Sequence, residues 1–157
     1  MEILSLEPGR APDFELEVRI GIAPAELRAF LIDLHRYASL HPFIESIEDL
    51  PEHPALPSAR FHRVVDRIPM GPLRLRAVYV AALEPVSPTE VHGHAWQSPG
   101  IRLRTLYRLD ALPEGTRLTE RCFVDAPALL RRFVVERARR AHGETLDGMR
   151  RLLEHSR

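Results

Sequence analysis

From Arg60 to Val124 the chain alternates apolar and polar residues in five successive runs, separated by only a few residues each. The runs are RFHRVVDRI (60–68), LRLRAVYVAAL (73–83), TEVHGHAWQ (89–97), IRLRTLYRLD (101–110) and TRLTERCFV (116–124). A period of two is the signature of a strand with one buried and one open face. The connections PMGP, SPG and LPEG have turn composition and are too short for a crossover, so consecutive strands must be antiparallel neighbours. This block therefore admits little besides an antiparallel meander.

The flanking segments supply what such a sheet lacks. DFELEVRI (13–20) is another half-buried strand, with Phe14, Leu16, Val18 and Ile20 on one face. Pro24 opens PAELRAFLIDLHRYASL, where Leu27, Phe30, Leu31 and Leu34 recur at helical spacing. Two short helices broken near Ile32–Asp33 are expected there, followed by a strand over HPFIESIEDL (41–50). From Asp125, a candidate N-cap, and Pro127 to Glu154 the period becomes helical. Val134, Ala138, Ala141, Thr145, Met149 and Leu152 form one stripe, with Arg and Glu residues opposite. Gly143 and Gly148 weaken this helix locally. The order β-α-α-β-β-β-β-β-β-α predicts an α+β fold, in which a curved antiparallel sheet of six to seven strands wraps the long C-terminal helix. A sheet gripping a helix need not close fully on it, and the space left between them is a natural ligand cavity.

With 157 residues, a single domain over 1–157 is expected. The 22 basic residues, all Arg, balance 22 acidic ones, which argues against non-specific nucleic-acid binding. The lone Cys122 cannot form an internal disulfide and fits a reducing cytoplasm. No apolar run reaches the roughly 18 residues of a membrane span, and the N-terminus lacks the pattern of a secretion signal. Dinucleotide, P-loop and flavin motifs are missing, so no cofactor is expected.

Four stretches resemble the START/Bet v 1-like superfamily, also called SRPBCC, and within it the bacterial polyketide cyclase/dehydrase-like proteins. They are IAPAELRAFLIDLHRYASLHP after the first strand, the meander around DRIPMGPLRLR, EGTRLTERCFVDAP, and the helix LRRFVVERARRAHGETLDGMRRLLE. The resemblance runs from about residue 13 to 155 and implies the helix-grip fold. It also implies a hydrophobic small-molecule ligand such as a lipid, sterol or polyketide, held between sheet and helix. Some members are cyclases, aromatases or dehydratases; others act as protein partners. The resemblance implies no metal, and its marks are structural rather than catalytic.

The inward side chains follow from the more apolar phase of each strand. Tyr79 points in with Leu75, Ala77 and Ala81; Thr105 and Tyr107 point in with Leu103 and Leu109. Glu120 and Cys122 point in with Leu118 and Val124, and His62 and Asp66 with Val64 and Ile68. His142 lies at the edge of the helix stripe. In VHGHAWQ (91–97) either Val91, Gly93 and Ala95 or His92, His94 and Trp96 face the helix. The second phase is expected, because Trp96 has far more apolar surface to bury than glycine or alanine.

Three chemistries follow from that lining. His62, Asp66, Tyr79, Trp96, Thr105, Tyr107 and His142 would contact a bound apolar ligand. His92, His94 and Glu120 would be acid–base groups if the cavity catalyses a reaction. A metal would need His92 and His94 plus Glu120, His62 or Asp66, but no ligand motif supports one, so none is expected. Blander roles compete: Glu120 could pair with Arg121 or Arg131, His41 could pack beside Pro42, His53 and His155 could be solvated, and the Arg rows could be the wet convex face. The oligomeric state is not readable from the sequence.

Overall fold

A computed structural model describes residues 2–155 and contains the expected elements. Strand β1 (Phe14–Ile20) leads to α1 (Pro24–Leu31) and α2 (Leu34–Tyr37), then through a 3-10 turn to β2 (Ile44–Leu50). β3 (Arg60–Met70), β4 (Leu73–Ser87), β5 (Glu90–Gln97), β6 (Ile101–Leu112) and β7 (Gly115–Asp125) form the meander, and α3 (Ala128–His155) ends it. The seven strands run in the order β1-β7-β6-β5-β4-β3-β2, and every neighbouring pair is antiparallel. β1 and β2 are thus the opposite edges, and α1 with α2 carries the chain from one to the other. This is the α+β helix-grip arrangement.

Register fixes the faces. Opposed residues share a face, and the chain of pairs Leu16–Glu120–Tyr107–Val91 and Gly93–Leu83 runs across the concave side. The main core lies there. Val18, Ile20, Leu109 and Leu118 from the sheet pack with Leu27 and Leu31 of α1 and Leu146 and Met149 of α3. Leu27 and Leu31 are fully buried, so truncating either to alanine costs about 2–5 kcal/mol. Val134, Ala138, Ala141, Thr145 and Met149 are buried on α3, as the stripe predicts. Leu152 is 43% exposed, and Leu153 packs against the core. α3 begins three residues after Asp125, which lies in β7 and accepts a hydrogen bond from Arg102 rather than capping the helix. The Pro127 carbonyl accepts the first amides, from Leu130 and Arg131.

The turn into β7 requires glycine. Gly115 has φ +153°, and a Cβ on it would lie 2.2 Å from the Ile20 carbonyl oxygen.

The convex face is not simply wet. Phe61, Ala82, Leu56 and Ala59 form a separate buried cluster there, joined by Ile3, Leu50, Val80 and Trp96. The N-terminal segment lies over it: Leu4 is buried, Trp96 Nε1 donates to the Glu2 carbonyl at 2.8 Å, and Arg104 Nη1 donates to the Leu4 carbonyl at 3.3 Å. The expectation of an open Arg-lined face holds for the exposed Arg74 and Arg76 but not for Arg104, which lies beneath this strap. Among the described residues, no helix is long and apolar enough to cross a membrane.

Candidate functional site

The sheet has a hole in its packing where small residues meet. Ala81 on β4 is paired with Ala95 on β5, and Gly93 sits two residues along the same inner face. Tyr79 and Tyr107 stand to either side of this low ground. A Cβ at Gly93 would already lie 3.6 Å from the Tyr107 ring. α3 and α2 roof the depression with Thr145, Leu146, Met149, Leu34 and Tyr37. The result is a cavity of about 100 Å³, with a second of about 70 Å³ adjoining it toward Asp66 and Arg137. Ala95, Leu103, Tyr79, His41 and His142 belong to both walls.

This geometry reverses the expected phase of β5. Val91, Gly93 and Ala95 face the helix. His92, His94 and Trp96 point to the convex face, where Trp96 lies flat between His94 (ring centroids 5.9 Å) and Phe61 (6.1 Å). Trp96 does cover its large apolar area, but under the N-terminal strap rather than under α3. The small residues contribute little to a core because the space above them is the cavity. His94 lies in the cavity wall between its inward neighbours, with its ring on the far side, 3.0 Å from Glu84. The three residues considered as a third metal ligand, Glu120, His62 and Asp66, lie on the opposite face. His92 and His94 gather instead with Glu84, and Arg104 Nη2 stands 3.5 Å from His92 Nδ1.

The remaining candidates lie on the concave side. Glu120 of β7, 1% exposed, is hydrogen-bonded to His142 Nδ1 of α3. It does not pair with Arg121 or Arg131, which bind Glu15 and Asp13. Burial pulls the His142 pKa down, but the charge of Glu120 and its hydrogen bond outweigh burial and hold it above the usual imidazole range. Burial is the main cause that raises the Tyr107 phenol, with the Glu120 charge adding to it. Asp66, 3% exposed, accepts a hydrogen bond from Tyr79 at 3.3 Å. Burial pushes its pKa up to about 6, although the positive charge of Arg137 opposes the shift. Thr105 donates to Cys122 Sγ at 3.7 Å, and burial pushes that thiol up to about 12, which disfavours the thiolate. His62 is buried on the same face, but at the β2 edge beside Asp49, outside both cavity walls.

Three wall residues escaped the sequence reading. Tyr37 ends α2, and burial raises its phenol well above the ordinary value. His41 accepts a hydrogen bond from the Phe43 amide on Nδ1, which requires an unprotonated nitrogen there. Burial, with the charges of His142 and Arg137 behind it, lowers His41 to about 3. Arg137 donates to Gln97 and lines the smaller cavity, and burial lowers its pKa. It flanks the helix stripe, three residues after Val134 and four before Ala141, and that spacing was the available signal.

The sequence model of a family described as "Polyketide cyclase / dehydrase and lipid transport" matches residues 11–154. No curated protein matches the chain. Solved structures share the fold. A START superfamily protein from Mycobacterium smegmatis superimposes with a TM-score of 0.70 at 15% identity, covering 92% of this chain and 98% of its own. The protein TTHA0849 of Thermus thermophilus gives 0.69 at 18%, covering 90% and 97%. The Zhui aromatase/cyclase from a Streptomyces species gives 0.64 at 17%, covering 88% and 92%. At such identities the likeness is one of fold.

Proposed function

The chain belongs to the polyketide cyclase / dehydrase and lipid transport family, and we propose that it binds a small aromatic or otherwise apolar molecule between the sheet and α3. The observation that carries this is the cavity roofed by α2 and α3, whose otherwise largely apolar wall holds the hydrogen-bonded pair of buried Glu120 and half-buried His142. An apolar wall with few polar groups is the usual make-up of a small-molecule site. The polar groups would orient an oxygen of the ligand, from the His142 ring and the Tyr107 and Tyr37 phenols. Size limits the class. A dry cavity of about 150 Å³ accepts a benzene-sized molecule, whereas sites for larger ligands run to about 300–1,000 Å³. Cavities of about 100 and 70 Å³ that share a wall favour a single ring or a short acyl chain over a long lipid. Native mass spectrometry of freshly purified protein, followed by thermal-shift titration with mono- and bicyclic phenols and ketones, tests this. A saturable shift supports it, and no shift with any of them sinks it.

A second reading adds chemistry at the same place. His142 is hydrogen-bonded to a carboxylate on the cavity wall that shifts it toward the protonated form, 21% of its side chain remains accessible, and a phenol stands next to the pair on the register. That arrangement suits a general acid for protonating a ketone oxygen or expelling a hydroxyl group. The likeness to an aromatase/cyclase fits such a role. Turnover of a short cyclisable triketone that survives both Glu120→Gln and His142→Gln unchanged would exclude it.

A further inference from the structure

Away from the cavity, the β2 edge of the sheet and α2 bring three metal-ligating side chains together. Asp49 of β2 and His62 of β3 are directly opposed in the register, so two rigid strands set their spacing. His35 of α2 reaches the same carboxylate oxygen. His35 Nε2 lies 2.7 Å and His62 Nδ1 2.9 Å from Asp49 Oδ1, and the three ligand atoms are all within 4.8 Å of one another. We propose that His35, Asp49 and His62 form a binding site for one divalent transition-metal ion of the zinc class, tying α2 to the sheet edge.

The chemistry of the donor set supports this. Two imidazole nitrogens and one carboxylate oxygen suit zinc and its neighbours rather than magnesium or calcium. Ligand atoms on one such ion, each at about 2.0–2.2 Å, lie roughly 3–3.5 Å apart, so the two contacts to Asp49 need to open by only a fraction of an ångström, while the two imidazole nitrogens, within 4.8 Å of each other, settle at the same spacing. The surroundings supply charge and access. The three residues line a depression of about 470 Å³, to which Asp33 and Glu52 add acidic groups against the single cation Arg60. Water can complete the coordination there. His62 is 5% exposed, and its other nitrogen is buried without a hydrogen-bond partner, so packing fixes the ring with its Nδ1 edge toward Asp49.

Among the described residues a second His–carboxylate cluster, Glu84 with His92 and His94, differs in both respects. Arg104 approaches His92, and the N-terminal strap lies over it. It serves as the internal comparison. The site has a structural consequence as well, because Leu34 and Tyr37 of α2 line the cavity on the other side of this short helix.

The test uses tag-free, chelator-treated full chain titrated with Zn²⁺ by calorimetry, and with Co²⁺ by visible absorption. One saturable Zn²⁺ per chain is expected, with ligand-field bands for Co²⁺ showing nitrogen and oxygen donors. His35→Ala and Asp49→Ala, both at exposed positions, each weaken Zn²⁺ binding by more than about tenfold. His92→Ala leaves it unchanged. The proposal is overturned if the wild type does not bind stoichiometrically, if the two variants bind as the wild type does, or if His92→Ala is the substitution that removes the ion.

Discussion

Glu120 and His142 join the two layers that grip the cavity: a buried carboxylate from β7 meets an imidazole from α3, 22 residues later in the chain. Their partnership decides the charge of the ring. In the wild type His142 should titrate above the ordinary imidazole value of about 6.5. In Glu120→Gln the attraction is gone and burial remains, so the same ring should titrate below it. A raised folded-state pKa contributes stability that is fully present below the unfolded value and lost as pH rises through the folded one. Glu120→Gln therefore destabilises most at about pH 5.5, by about 2 kcal/mol, and progressively less toward pH 9. NMR titration of His142 with urea unfolding at both pH values checks the pair; a ring that titrates alike in both proteins contradicts the assignment.

Asp66 carries the opposite cost. Burial raises its pKa to about 6, so the proton favours the folded state. That contribution is complete below the unfolded value of about 3.8 and is lost as pH rises through about 6. At neutral pH the fold bears the cost of a buried carboxylate, which Arg137 and Tyr79 offset only in part. Asp66→Asn keeps an acceptor for the Tyr79 hydroxyl and removes the charge. It should stabilise the protein by about 1–3 kcal/mol at pH 7.5, with the gain shrinking toward pH 4. A gain independent of pH would show that packing, not ionisation, is responsible.

The N-terminal strap makes Trp96 a reporter of the convex face. It is the chain's one tryptophan, and its indole N–H binds the Glu2 carbonyl. Deleting residues 2–5 removes that acceptor and exposes the cluster of Phe61, Ala82 and Trp96. Trp96 emission should shift to the red, and stability should fall by about 2–3 kcal/mol, mostly from the loss of Leu4 burial. If the cavity and this cluster are separate, ligand affinity changes little. A blue, unshifted emission maximum would place the indole in the other core.

The meander, both edge strands and the gripping helix were legible because each rests on local periodicity and turn chemistry. Four inner faces were legible for the same reason: Tyr79, Tyr107, Glu120 and Asp66 all oppose arginines on their own strands. β5 was misread because its phase depends on a segment ninety residues away in sequence. Nothing in VHGHAWQ indicates that Glu2 to Leu4 lies over the convex face and gives Trp96 a second place to be buried. His41 and Arg137 were missed because they join the site through tertiary packing. The 3-10 turn delivers one, and the flank of the α3 stripe delivers the other.

The corrected face of β5 yields a direct experiment on the cavity. If the space exists because Ala81, Gly93 and Ala95 are small, Ala95→Leu should fill the region common to both cavities. Added methylenes normally strain a packed core by about 1–3 kcal/mol, but here they enter a void and gain apolar contact. The variant should therefore keep or raise the wild-type melting temperature while losing at least about tenfold in affinity for any small aromatic ligand that the wild type binds, the equivalent of about 1.4 kcal/mol. His92→Ala, on the convex face, should leave that affinity unchanged. Thermal-shift titration of both variants separates the faces. Loss of binding in His92→Ala with retention in Ala95→Leu would restore the histidine side of β5 as the ligand wall.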